Sequence, residues 1–294
     1  MNCPQKMTDL KWMGEKGMPE LPEVEAVRMT LANLITGKEM IRVWANYPDI
    51  VKEPIEFQQF AKRLEGERFE SVLRKGKFLI LETSQYAMIS HLRMEGKYVL
   101  ADAQDPYHKH THLFFTFSDG TELRYEDVRK FGTIHLVKRG RHMQTPMLQR
   151  LGPDAIEVDF HKAYLKEKVR NRTRSIKSLL LDQEIVAGLG NIYVDEVLFH
   201  ANVHPLQTGA HLSDQDLQRI VQGAKEILQK SIELGGSTVR SYLNAQGKMG
   251  TFQNELKIYG KNDLPCIVCG QRIEKIKVAG RGTHYCPQCQ KKSV

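Results

Sequence analysis

The chain has 294 residues, 41% of them hydrophobic and 27% charged, which excludes a disordered or fibrous protein and leaves room for one to three domains. No apolar run approaches the roughly 18 residues of a membrane-spanning helix, and Met1 to Gly17 lacks the apolar stretch of a secretion signal, so a cytoplasmic location is expected. The net charge is +8 with an isoelectric point near 9.1. Residues 257–294 carry eight Lys or Arg against two acids, and Lys162, Lys166, Lys168, Arg170, Arg172, Arg174 and Lys177 form a second basic cluster broken only by Glu167. Basic stretches on separate segments suit a polyanion, although a solvated basic surface has the same composition.

In chain order, Val24, Val27, Leu31, Leu34 and Ile35 share one helical face, with Gly37 as the stop. Strand-like runs follow at Phe69–Glu82, Ala87–Leu92, Leu113–Phe117, Leu123–Tyr125 and Thr133–Val137, with Ser118-Asp119-Gly120 as a hairpin turn. Several short strands at close spacing predict an antiparallel sandwich or barrel. After Leu151-Gly152-Pro153 the pattern becomes helical. Asn191–Ala201 reads as a helix entered through Ala187-Gly188-Leu189-Gly190. Ser213-x-x-Asp216 reads as a capping box ahead of Leu217, Ile220, Val221, Ala224, Leu228 and Ile232. From Lys257 the chain is short-stranded, basic and rich in cysteine. The expected fold class is α+β and multidomain. It comprises an extension at 1–17, an N-terminal antiparallel β-sandwich with flanking helices at 18–150, a helical domain at 151–256 and a C-terminal zinc β-hairpin finger at 257–294.

The strongest single motif is Cys266-x2-Cys269-x16-Cys286-x2-Cys289. Two CxxC knuckles separated by a hairpin-length spacer supply four thiolates for one tetrahedral structural Zn²⁺ per chain, with no open position for a catalytic water. Disulfides are disfavoured in a chain without a secretion signal. Cys3 has no evident partner. Between the knuckles, Gly280-Arg281-Gly282 puts an arginine at a tight turn, where it either reaches a phosphate or is an ordinary surface residue.

Met18-Pro19-Glu20-Leu21-Pro22-Glu23-Val24-Glu25 resembles the N-terminus of the bacterial formamidopyrimidine-DNA glycosylases, and the resemblance runs through nearly all of Met18–Lys291. It implies a helix-two-turn-helix DNA-binding domain in the 151–256 segment. It also implies a monomeric base-excision-repair enzyme, DNA glycosylase and AP lyase in one, that removes oxidised purines such as 8-oxoguanine and formamidopyrimidines from damaged double-stranded DNA of the nucleoid. In that family the initiator Met is removed and the terminal proline amine, here Pro19, is the nucleophile. Glu20 matches the general acid, Lys77 the lysine that organises the site, and Arg281 the zinc-finger arginine of the elimination chemistry. Asn191 and Tyr259 match phosphate ligands, and His91 and Met94 lie in the match to the wedge loop that fills the space of the flipped base. Arg129 and Phe131 match its two companion probes, His110 and Arg172 further backbone contacts, and Ser237–Phe252 the flexible loop that closes over an oxidised purine. Leu21 stands where the endonuclease VIII branch, which takes oxidised pyrimidines, has glycine.

The chemistry is consistent with the resemblance. An α-amine titrates near about 7.7–8, whereas holding a lysine neutral at pH 7 costs about 3–4 kcal/mol. A terminal secondary amine can attack C1′ and form an iminium that opens the way to β,δ-elimination. Taken singly, each residue has another reading: Met94 and Phe131 as core, Glu20 as a helix-start acid, Lys77 as an edge-strand charge, and His108, His110 and His112 as one face of a strand. Their joint occurrence in the family's order favours the resemblance. Pro19 is nevertheless nineteenth, where its nitrogen is a tertiary amide without a basic lone pair. Gly14-Glu15-Lys16-Gly17 must be encoded as GGN-GAR-AAR-GGN, which can contain a ribosome-binding site ahead of Met18. The extension is therefore expected to be a start-site artefact. The alternatives are proteolytic removal, or a non-catalytic zinc-finger DNA-binding protein.

Overall fold

The computed structural model describes residues 18–237 and 250–292. Met1–Gly17 and most of the purine-loop match, residues 238–249, lie outside the described residues. Helix α1 (Leu21–Ile35) buries Val24, Val27, Leu31 and Ile35 of the predicted stripe and leaves Leu34 half-buried at its edge. Nine strands follow: β1 (Met40–Ala45), β2 (Val51–Glu53), β3 (Ser71–Lys75), β4 (Phe78–Glu82), β5 (Tyr86–His91), β6 (Lys97–Asp102), β7 (Thr111–Phe117), β8 (Thr121–Glu126) and β9 (Thr133–Lys138). Helix α2 (Phe57–Leu64) lies between β2 and β3.

The strands form two sheets, ordered β1-β7-β8-β6 and β2-β9-β5-β4-β3. Every pairing is antiparallel except that of the three-residue β2 with β9. Phe60, Phe69, Leu79, Leu81, Leu113, Phe115 and Phe117 meet in one core, so the sheets bury alternate residues against each other as a sandwich does. The run predicted at Phe69–Glu82 is two strands, because Gly76, at φ +56°, turns the chain between β3 and β4 and leaves Lys77 at the bend. The turn is held from outside its own sheet. One Asp154 carboxylate oxygen accepts the Gly76 N–H at 2.7 Å, and the other accepts from Arg74 at 2.6 Å. Arg74 also pairs with Glu25 of α1 at 2.8 Å.

Helix α3 (Pro146–Gln149) packs Leu148 against Ile80, Ala87 and Ile89 of the sandwich, and helices α4 (Lys162–Val169), α5 (Ile176–Leu180), α6 (Asn191–His200) and α7 (Asp214–Glu233) make the second layer. The predicted capping box is present, with Ser213 Oγ accepting from Asp216 N at 3.1 Å and Asp216 returning the bond to Ser213 N at 3.0 Å. Eight of the ten residues of α6 are buried, so this helix runs through the middle of its core rather than along one side. The last hairpin is β10 (Glu274–Val278) and β11 (Arg281–Tyr285), and its small core of Ile258, Ile273, Cys266 and Cys286 includes Phe199 of α6. Among the described residues no helix is long and apolar enough to cross a membrane.

Candidate active site and nucleic-acid interface

Where the β-sandwich, the start of α6 and the zinc hairpin meet, they enclose a cleft of about 480 Å³. Glu20, Lys77, His91, Met94, Asn191, Tyr259 and Arg281, seven residues drawn from distant parts of the sequence, line it, as does Met18 beside the buried Pro19.

Glu20 reaches across to another helix. Its carboxylate accepts the backbone N–H of Ile192 at 2.9 Å and of Tyr193 at 3.4 Å, donors left over at the first turn of α6, so a negative charge there is favoured by the helix dipole. Gly190 permits the approach, since a Cβ there would collide with the Glu20 carboxyl group. Burial pushes the Glu20 pKa up to about 7, against the opposing pull of the Lys77 ammonium and the two N–H donors and with the help of Glu23. Burial in turn pushes Lys77 down, and the nearby Arg281 charge adds to that, while Glu20 and Glu23 pull it back up. Glu20 is thus poised to hold a proton near neutrality beside an amine held low, an arrangement suited to general acid–base work.

Glu23 was not singled out from the sequence, where it reads as a first-turn helix acid. It is buried and accepts from Glu20 N at 2.9 Å, Tyr193 OH at 2.6 Å and Ser237 N at 2.6 Å. It ties the segment after Pro19 to α6 and to the residue before the 238–249 segment. Arg93 and Arg174 also line the cleft without having been assigned to the site. Their signals were only membership of the wedge motif and of the basic cluster.

His91 is buried, its Nδ1 accepting from Arg93 N at 3.0 Å, and burial next to Arg93 and Lys77 takes its pKa down to about 3, so the ring is neutral. The left-handed Arg93, at φ +53°, then turns the chain toward Met94. Met94 meets its two companions: Arg129 Nη1 lies 2.9 Å from Met94 Sδ, and the Arg129 guanidinium stacks 4.5 Å from the Phe131 ring centre. Asp127 holds their loop by accepting from Arg129 N at 3.0 Å and Gly132 N at 2.8 Å. Phe131 is 51% exposed, so it is available to a partner and is not core. His110 and Arg172 stand outside the cleft. Lys177, grouped with the surface basic cluster by sequence, is fully buried and presents no charge to a polyanion.

Tyr259 is placed by Glu196 of α6, whose carboxylate accepts the backbone N–H of Lys257 at 2.9 Å, Ile258 at 2.9 Å and Tyr259 at 2.8 Å. Arg281 does not sit at the loop tip itself. Ala279 and Gly280, at φ +49° and +76°, make the two-residue turn, and Arg281 is the first residue of β11.

The four cysteine sulfurs lie within 4.8 Å of one another, with Cys266–Cys289 at 3.9 Å and Cys269–Cys286 at 3.5 Å. Four thiolates about 2.3 Å from a tetrahedral Zn²⁺ would stand about 3.8 Å apart, and a disulfide would need about 2.05 Å, so the cluster fits one structural zinc. Cys266, Cys269, Cys286 and Cys289 would hold it, and its bonds would close the loop that carries Arg281.

A β-sandwich joined to a helix-two-turn-helix layer and a four-cysteine hairpin, with an acid–amine cleft at the junction, defines a zinc-finger protein of the DNA-repair glycosylase class. The formamidopyrimidine-DNA glycosylase N-terminal domain model matches residues 18–134 and the H2TH domain model of the same family matches 151–242. A zinc finger found in FPG and IleRS matches 263–292. The chain belongs to the formamidopyrimidine-DNA glycosylase family. It is 50% identical to the formamidopyrimidine-DNA glycosylase of Bacillus cereus over 273 residues, 93% of this chain and 99% of that one. It is 51% identical to that of Bacillus subtilis over 275 residues, 94% and 100% of the two chains. Among solved structures it resembles a point mutant of the Lactococcus lactis FPG in complex with a Fapy-dG containing DNA, at TM-score 0.88 and 46% identity over 93% of this chain and 100% of that one. The Lactococcus lactis Fpg bound to an abasic site containing DNA gives a TM-score of 0.86 at 45% identity, with the same coverage.

Proposed function

We propose that this chain is a bifunctional DNA glycosylase and AP lyase that removes oxidised purines from duplex DNA of the bacterial nucleoid, acting as a monomer in the cytoplasm. The observation that carries the reading is the convergence of Glu20, Lys77 and Arg281 on one cleft beside Pro19, with Met94, Arg129 and Phe131 gathered at its edge. The working units are 18–150, 151–256 and 257–294.

In the proposed reaction Met94 and Phe131 occupy the space of the extruded nucleotide, compensating part of the few kcal/mol that unstacking costs. Arg129 hydrogen-bonds the orphaned base. The Pro19 nitrogen, as a free secondary amine, attacks C1′ and the C1′–N bond to the damaged base breaks. Glu20 delivers its proton to the sugar or the departing base. The resulting iminium allows successive loss of the 3′ and 5′ phosphates, assisted by Lys77 and Arg281. Asn191, Tyr259, His110 and Arg172 hold the DNA backbone, His91 supports the wedge loop, and zinc supplies only the scaffold of the hairpin. Attack requires Pro19 to be the first residue, so the active form is one that begins there.

Intact mass and N-terminal sequencing of protein expressed from the native gene, followed by borohydride trapping on an 8-oxoguanine:C duplex, test the reading. A Pro19 start with a covalent complex is expected. A Pro19 start with no trapped complex would overturn it, and preference for a thymine-glycol duplex would move the chain to pyrimidine damage. Affinity that stayed constant between about 50 and 200 mM salt would remove the phosphate contacts from the account.

A further inference from the structure

A buried ion pair lies behind the hairpin and outside the cleft. Lys177 of α5 and Asp195 of α6 meet at 2.6 Å with both side chains fully excluded from solvent. The Lys177 ammonium also donates to the carbonyl of Gly282 at 3.2 Å, and the Asn191 amide donates to the same carbonyl at 3.0 Å. The second Asp195 oxygen accepts the backbone N–H of His284 at 2.9 Å and faces the His284 ring nitrogen at 3.3 Å. The His284 ring in turn packs edge-on against Tyr259, 5.0 Å between centres. Gly282 directly follows Arg281, so two donors from the helical layer fix the Gly282–Thr283 peptide, one residue beyond that arginine, and Asp195 fixes the strand again at His284.

The zinc closes the loop from its far end and does not by itself fix the end that carries Arg281. Its nearest ligand in the strand, Cys286, comes after Tyr285 at the end of β11, whereas Arg281 is at the other end, beside a two-residue turn with few anchors of its own. A two-stranded hairpin of five residues a side is marginal by itself. A buried pair is also a costly way to gain stability, since apolar residues of the same volume often serve as well, so what this pair adds lies in the geometry it imposes.

We propose that Lys177 and Asp195 are positioning residues that act through Gly282 and His284 to hold Arg281 against DNA in the cleft. The proposal rests on the function given above, and its test separates the two. Wild type, Arg281→Ala, the neutral pair Lys177→Met with Asp195→Asn, and the combination of all three are prepared with Pro19 first, and zinc content and melting are recorded. Each is titrated with a duplex carrying a tetrahydrofuran abasic analogue, and wild type is also assayed on an abasic duplex. Coupling through Arg281 predicts that the neutral pair weakens binding on the order of tenfold when Arg281 is present and less than about twofold when it is absent. Equal losses in both backgrounds, or no loss in the first, overturn the proposal, because general loosening would not depend on Arg281. Asp195→Asn alone, which keeps the shape and an acceptor for His284, carries the same comparison if the neutral pair fails to fold. Wild type that neither binds nor cleaves overturns the function; wild type that does both while the variants add independently overturns only the clamp.

Discussion

The Glu20 carboxylate accepts the backbone N–H of Ile192 at 2.9 Å, joining the residue next to Pro19 to the first turn of α6, 172 residues further along the chain. The bond aims the acid, while burial, the larger influence, keeps its proton on near neutrality. Glu20 is therefore a carboxyl group with a fixed direction and a pKa of about 7, as proton delivery in water-poor surroundings requires.

That pKa has a signed consequence. Below pH 7 Glu20 is protonated and can deliver its proton; above it the group ionises, so single-turnover base excision should show a falling limb set by Glu20, opposed by a rising limb as the Pro19 amine loses its proton near about 7.7–8. The Lys77 charge lowers the Glu20 pKa, so Lys77→Met should shift the falling limb to higher pH as well as slow the reaction. Rates on an 8-oxoguanine:C duplex from about pH 5.5 to 9 check this, and a limb that stays put or moves to lower pH counts against the pairing.

Gly190→Ala places a Cβ where the Glu20 carboxyl group lies. The acid must turn away, and misplacement by about 1 Å can cost roughly a hundredfold in rate. Gly190 contributes no charge to the DNA interface, so affinity for a tetrahydrofuran duplex should change less than about threefold. Comparable losses in rate and affinity would mean that the glycine serves the fold of α6 and not the aim of Glu20.

How far this was legible in the sequence differs by element. The zinc ligands were readable because CxxC spacing is itself the geometry of a knuckle. The helical stripe of Val24, Val27 and Leu31 was readable because periodicity records burial. β1 and β6 went unread, since buried and exposed positions do not alternate cleanly along either strand. Glu23, Asp195 and Glu196 were invisible as site-builders because their partners are backbone N–H groups up to 214 residues away, and no local pattern encodes such a pairing. Lys177 was misread for the same reason. The basic residues that precede it, Arg170, Arg172 and Arg174, are exposed, whereas Lys177 turns inward to Asp195 on another helix.

The wedge yields a prediction on stability and binding together. Phe131 is 51% exposed and its ring meets the Arg129 guanidinium, so Phe131→Ala should change the melting temperature little while weakening damaged-duplex binding by about 1–2 kcal/mol, the worth of one base–aromatic stack. Gly132→Ala should do the reverse in part, because a Cβ there would collide with the Tyr125 hydroxyl beneath the loop and displace Asp127 as well. Thermal melting and fluorescence anisotropy on the two variants separate these outcomes. A large loss of stability in Phe131→Ala would return that residue to the core.

Removing the metal should uncouple the finger from the cleft without dismantling the cleft. Glu196 still accepts three backbone N–H groups at 257–259, ahead of the first cysteine, and the Glu20 carboxylate is anchored wholly by α6, none of which involves a cysteine. The finger core, by contrast, consists of Cys266, Cys286, Cys289, Ile258, Ile273 and Phe199, too few apolar groups to fold unaided once zinc binding, about 10–16 kcal/mol in finger peptides, is lost. Cys266→Ser or chelation should therefore release one zinc per chain and weaken DNA binding at least about a hundredfold. The main unfolding transition, set by the sandwich and helical cores, should persist. Metal analysis, calorimetry and DNA titration on the same sample measure all three. Cooperative loss of the whole fold on chelation would show instead that the finger supports the helical layer, and that the carboxylates of α6 depend on zinc for their partners.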